Sequence, residues 1–158
     1  MKSNKKYSLR YLPTKLTRKD RKKQMNMLAK SKKMYKQGKY YKRKLVKSFK
    51  SKPSSHVNNA KKIYNVNKIG STNELSKKTG CSKSALAKII NKGEGAYYSS
   101  GSRPNQTPQS WGIARLASAL TSGKSAVVDY DILINGCKHG SKGYQSAQNA
   151  VKKYRSSK

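Results

Sequence analysis

A chain of 158 residues with 38 Lys and Arg against five Asp and Glu, a formal net charge of +33, is at most one small domain with extensions. Solubility is served by a net charge of about 2 to 8, so this excess calls for an anionic partner: nucleic acid, anionic lipid or an acidic protein surface. Five carboxylates are a poor stock for acid–base catalysis, and no apolar run reaches the roughly 18 residues of a membrane span.

The start "MKSNKKYSLRYLP" is basic but lacks the apolar stretch of a secretory signal. Residues 1–13 read as an extended arm, with Tyr7, Leu9, Tyr11 and Leu12 as anchors. Thr17-Arg-Lys-Asp20 is a capping-box pattern, which predicts a helix from about Arg18 to Gln37 with Gly38 past its end. Its apolar stripe is only Met25, Leu28 and Tyr35. Such a helix lies on something else and carries no core of its own. "YYKRKLVKSFKSKPSS" reads as an extended linker ending at Pro53, anchored by Leu45, Val46 and Phe49. Tyr11, Leu28, Tyr35 and Phe49 are therefore the expected interface anchors of this basic segment.

The aliphatic residues gather further on: 16 of the 24 Leu, Ile, Val and Phe lie between residues 57 and 136. That middle can bury a small core, whereas the two ends cannot do so alone. Ser54 or Ser55 caps a short helix, His56 to Tyr64. "STNELSKKTGCSKSALAKIINKG" predicts two helices. The first is capped by Ser71 or Thr72 and stopped at Gly80; the second is capped by Ser82 and runs through Asn91 to a closing Gly93. Ser76, Gly80 and Leu86 have the spacing of a helix-turn-helix, though Ser76 stands where a small apolar residue is usual. A plain helical hairpin fits equally well. In the DNA-binding reading Lys83, Lys88 and Lys92 face the duplex.

"GAYYSSGSRPNQTPQSWGIARLASAL", Gly95 to Leu120, carries among Lys and Arg only Arg103 and Arg115. Ser99, Ser100, Gly101, Ser102 and Arg103 are a candidate anion-binding nest. The same residues also suit an ordered loop that satisfies its own backbone. "NQT" at Asn105 is a formal glycosylation acceptor that carries no weight without a secretion signal. Thr107 caps a helix with Pro108 at its first position, running to Thr121. "SAVVDYDILING" fits a strand or a helix; its helical surroundings favour a helix. A last amphipathic helix covers about Tyr144 to Tyr154.

His56, Cys81, Cys137 and His139 lack zinc-ligand spacing, so no metal or cofactor is expected. Two cysteines make no disulfide framework and are read as reduced. Eleven tyrosines against one Phe, as in Tyr40-Tyr41-Lys42-Arg43, can stack on bases or cover protein surface, and interface packing is preferred. The expected fold is mainly α: a basic arm with one amphipathic helix (1–53), a compact helical domain (54–136) and a basic C-terminal helix or tail (137–158).

"RYLPTKLTRKDRKKQ", "VKSFKSK", "AKKIY" and the long stretch from "SKKTGCSKSALAKIINKGEGAYYSSGSRPNQTPQSW" to "VVDYDIL" resemble an uncharacterised domain family of large nucleocytoplasmic DNA viruses, including chlorella-virus-like, mimivirus-like and marseillevirus-like proteins. The resemblance covers about residues 10 to 137. It implies no enzymatic activity and no catalytic residues. It implies a virion component, with other capsid proteins as partners and the capsid interior as location. Nucleic acid or an anionic inner membrane surface would supply the counter-charge. A minor capsid protein is the expected role, a DNA-binding or DNA-packaging protein the alternative, and no small-molecule substrate is expected.

Overall fold

The computed structural model describes residues 7–52 and 54–155, and the described residues form eight helices. In chain order these are α1 (Arg18–Lys36), α2 (Ser55–Tyr64), α3 (Asn73–Thr79), α4 (Lys83–Ser99), α5 (Pro108–Leu120), α6 (Lys124–Val128), α7 (Tyr130–Gly136) and α8 (Lys142–Arg155). The fold is mainly α.

The chain divides into two compact units, neither of which is continuous in sequence. Unit 1 takes residues 1–52 with 94–111, and unit 2 takes 53–93 with 112–158. This differs from the arm, domain and tail expected from composition. The neutral window is divided: its residues up to Trp111 join the basic arm and those from Gly112 join the aliphatic core, as does the C-terminal helix.

In unit 1, α1 is capped by Thr17, whose Oγ1 accepts from the Asp20 N–H at 3.2 Å. Only half of the capping box closes locally. The Asp20 carboxylate accepts from the Ser48 N–H at 2.8 Å instead, and the Thr17 N–H is taken by Ser48 Oγ at 3.1 Å. Ser48 thus replaces the reciprocal bond and ties the segment after α1 to the helix start. These bonds hold the Asp20 carboxyl below its ordinary pKa, chiefly through Ser48. Leu12, Leu16, Met27, Leu28 and Val46 form a small buried cluster, with Tyr7, Tyr11, Met25, Tyr41 and Phe49 packed against it. The basic segment therefore has a small core of its own, and Gly101 of the window lies against its Leu28 and Tyr11.

Unit 2 has the larger core, including Leu75, Leu86, Ile89, Leu116, Leu120 and Leu133 with Ala117, Ala119, Ala126, Ala147 and Ala150. The amphipathic α8 packs on α3, α6 and α7, presenting Ala147 and Ala150 to them. Its apolar face is what draws the C-terminal residues out of a solvated tail. α4 runs past Gly93 instead of stopping there. A Cβ at Gly93 would lie 2.6 Å from Gly112 Cα, so glycine here permits a close backbone approach to α5. The ambiguous stretch after Gly123 is helical, broken at Asp129, which is 1 % exposed. Arg115 donates to both Asp129 oxygens at 2.8 Å, and the Lys92 ammonium sits 3.4 Å from Oδ1. This arrangement answers the cost of burying a carboxylate.

Cys81 and Cys137 are joined by a disulfide, which corrects the expectation that they are reduced. The reason is a tertiary one. The turn after α3 and the turn after α7 form an antiparallel bridge, with Ser82 N–H donating to Gly136 O and Lys138 N–H to Gly80 O, both at 2.8 Å. The two cysteines face each other as a non-hydrogen-bonded pair, where side chains come closest. A Cβ at Gly143 would overlap Cys81 Sγ, so glycine is needed where α8 passes this bond.

Candidate functional site

The stripe Lys19, Lys22, Lys23, Asn26 and Lys30 lies along one side of α1 at spacings of three, four and seven residues, which a helix brings onto one face. Opposite it runs the extended segment that follows α1. Lys23 Nζ donates to Leu45 O at 3.0 Å, the Lys44 N–H reaches Met27 Sδ at 3.2 Å, and Lys30 Nζ sits 4.6 Å from the Tyr41 ring centroid. Between helix and segment lies a cleft of about 490 Å³ lined by the four lysines, Asn26, Met27 and Tyr41. Cations at a helix start oppose the helix dipole, which is itself positive there. Arg18, Lys19, Arg21, Lys22 and Lys23 crowd these first turns with only Asp20 among them, and Asp20 is committed to Ser48. Dipole and side chains therefore add to one positive field at the start of α1, where Lys19, Lys22 and Lys23 line the cleft.

The segment that forms the second wall is held by polar bonds. Arg43 Nη1 donates to Ser31 Oγ at 2.9 Å and to Tyr97 O at 2.8 Å, and Nη2 donates to Ser102 Oγ at 2.7 Å. The guanidinium carbon lies 3.8 Å from the Tyr97 ring centroid, and the Arg43 N–H donates to the Tyr97 hydroxyl. Among the described residues Arg43 has no carboxylate within ion-pair distance. Burial lowers its pKa from the ordinary value, opposed by the nearby tyrosines Tyr97, Tyr11, Tyr41 and Tyr7. An arginine stacked on an aromatic face and bonded to neutral oxygens can be half-buried without an acid. Asn105 secures the next residues: its Oδ1 accepts from Val46 N–H at 2.8 Å, while its Nδ2 donates to Val46 O at 3.1 Å and Phe49 O at 2.6 Å. Its φ of 64° is a left-handed value that asparagine tolerates.

The candidate nest residues lie in this polar clamp. The Ser100 and Gly101 N–H groups both donate to Ala96 O and so close α4, and Ser99 Oγ donates to Gly95 O. Ser102 is fully buried, its hydroxyl donating to Arg103 O and accepting from Arg43. Arg103 is exposed. The expected interface anchors lie mostly inside unit 1. Leu28 is 2 % exposed, Phe49 packs on its cluster, and Tyr11 meets Trp111 edge-on at 6.5 Å. Only Tyr35 remains open, stacked on Tyr98 at 6.2 Å beside the exposed Tyr40.

In unit 2, α3 and α4 are joined by Gly80-Cys81-Ser82, with Gly80 in the left-handed region at φ 78°. Lys83 and Lys88 are exposed on α4. Lys92 is drawn to Asp129, and Lys88 shares a cleft of about 320 Å³ with Ser82, Ser84, Ala85, Asp131, Ile132, Asn135 and Gly136. His139 lies against the Tyr144 ring. No group of three or more metal-ligating side chains occurs among the described residues, and no helix there is long and apolar enough to cross a membrane.

The α1 lysine stripe is a candidate site that the sequence alone does not single out. Its signal was present as lysines at i, i+3, i+4 and i+11, but nothing local showed that a second wall would turn the stripe into a cleft. No curated protein and no solved structure matches the chain. One family does match, over residues 8–134, and the chain belongs to it: DUF5824, a family of unknown function.

Proposed function

We propose that this is a non-enzymatic structural protein whose basic segment binds an anionic surface. In the setting that the resemblance to large-DNA-virus proteins implies, it is a minor capsid protein that contacts other capsid proteins beneath the outer shell. The observation that carries the reading is the lysine-lined cleft of α1, where the one acid among these first-turn cations, Asp20, is already bonded to Ser48. Unit 1 has 22 basic and two acidic side chains, a density that supports an anionic counterpart. Mass spectrometry of purified particles and of infected-cell cytoplasm tests the setting. Enrichment in particles is expected, and confinement to the cytoplasm sinks it. Retention on anionic surfaces tests the binding, which should weaken steeply with added salt.

A second reading, duplex DNA binding through α3 and α4, is favoured by the left-handed Gly80 turn and by exposed Lys83 and Lys88. Asp131 beside Lys88 and the diversion of Lys92 to Asp129 weigh against it. The double substitution Lys83→Glu with Lys88→Glu should abolish duplex affinity if this pair reads DNA. Unchanged affinity removes the helix pair from consideration.

A further inference from the structure

We infer that the α1 cleft is a binding site for single-stranded nucleic acid; this rests on the polyanion-binding reading above and specifies the polyanion. Three features of the cleft lead there. First, the site is a shallow, open trough. A duplex is read by a protein element that projects into its groove, about 12 Å wide in the major groove, whereas here a slim strand can lie along the trough between α1 and the segment that follows it. Second, the cations form a line. From Lys19 to Lys30 a helix advances about 16 Å at 1.5 Å per residue. That spans about four or five nucleotides of a stacked strand at 3.4 Å each, near the lower end of single-strand site sizes.

Third, the wall is aromatic. Tyr41 is half-buried, and the ammonium beside its ring belongs to Lys30 at 4.6 Å. An exposed cation–π contact contributes about two- to fivefold in an equilibrium constant. Base stacking on an aromatic side chain contributes about five- to 150-fold per base. A base therefore displaces Lys30 from the ring, and the freed ammonium turns to a phosphate. Asn26, in the middle of the lysine line, offers both an amide donor and an acceptor to a base edge. An anionic membrane would use the lysines without a base stacked on the ring.

The test is fluorescence anisotropy of the full chain with a labelled oligothymidine, using unlabelled blunt duplex and phosphatidylserine vesicles as competitors. Single strand should bind more tightly than duplex of equal length. Lys19→Gln with Lys22→Gln should lower the slope of log K against log salt by about 0.7 per lysine. A charge-matched control on α3, Lys77→Gln with Lys78→Gln, should lower it less. Tyr41→Ala should weaken binding at least fivefold with the slope unchanged, and Tyr41→Phe should restore it. Trp111 fluorescence verifies that unit 1 remains folded in each variant.

Equal competition by duplex overturns the inference, as does a Tyr41→Ala affinity within twofold of the parent. Displacement by vesicles that is insensitive to Tyr41→Ala also overturns it. If the lysine pair and its control act alike while salt-dependent binding persists, the cleft inference fails and the polyanion reading stands. If no polyanion binds, both fail.

Discussion

The two units reach a buried interior by different means. Unit 2 buries Leu75, Leu86, Ile89, Leu116, Leu120 and Leu133 among small alanines and adds a disulfide between two turns. Unit 1 has a short aliphatic list and is closed by polar groups: Arg43 on Tyr97, Ser31 and Ser102, Asn105 on the 46–49 backbone, and Asp20 on Ser48. Unit 2 resembles an ordinary helical core, stabilised by the area it removes from water. Unit 1 relies on directional bonds, each modest in net effect but costly to leave unmade. A segment that must stay cationic cannot fill its interior with aliphatic residues at every turn. Hydroxyls, amides and tyrosine rings let it fold while its lysines remain outside.

Reduction of the disulfide should have the largest effect. The cysteines are separated by 56 residues, and a loop of that length restricts the unfolded chain by about 4 kcal/mol on the chain-entropy account. Thermal melts with and without reductant, followed by hydrogen exchange in α3 and α7, should show the loss in unit 2. If melts are identical, cross-linking is not what distinguishes its core. Next in size is Arg43→Met, which keeps some packing but strands Ser31, Ser102 and the Tyr97 carbonyl. A loss of about 3 kcal/mol is expected from the charged hydrogen bonds removed. Trp111, the single tryptophan and a unit 1 residue, reports it by fluorescence during denaturant unfolding. A loss below about 1 kcal/mol would make the aliphatic cluster sufficient and erase the contrast between the units.

Alkaline pH probes unit 2 from another side. Burial pushes the Tyr64 hydroxyl from 10.0 up to about 12, and that hydroxyl donates to Leu120 O at 2.6 Å. Because the folded pKa is the raised one, the stabilisation is complete below pH 10 and is lost as pH rises through about 12. The fall should be on the order of 2 to 3 kcal/mol. Tyr64→Phe should cost about 1 kcal/mol at neutral pH and flatten the curve above pH 10 relative to the parent. If parent and variant fall in parallel, another group governs the alkaline limb. The smallest effect is at Asp20, whose carboxyl is held low by Ser48. Its contribution is present above the ordinary carboxylate pKa and disappears as pH falls through the lowered one. Asp20→Asn should therefore lower the melting temperature of unit 1 slightly at neutral pH and not in strong acid, a difference readable by Trp111 fluorescence.

Local features were legible in the sequence where the cause was local. Thr17, Thr72 and Gly80 begin or end helices as their chemistry dictates, and Thr107 and Ser110 cap α5 reciprocally at 2.9 and 3.0 Å. The stop expected at Gly93 failed because glycine serves there to approach Gly112, a partner 19 positions away that no window of sequence exposes. The lysines of the cleft were legible as charge but not as a site, since the second wall arrives through Ser48, Leu45 and Tyr41.

The sequence by itself determined that the chain is helical, strongly cationic and aliphatic mainly in its middle. Those properties follow from residue type and short-range spacing. Only the tertiary structure decided that the first part of the neutral window, through Tyr97, Ser102 and Asn105, clamps the basic segment, that Cys81 meets Cys137, and that Asp129 is buried beneath Arg115. Each of these depends on groups far apart in the chain, and their pairing becomes favourable only once the helices between them have packed.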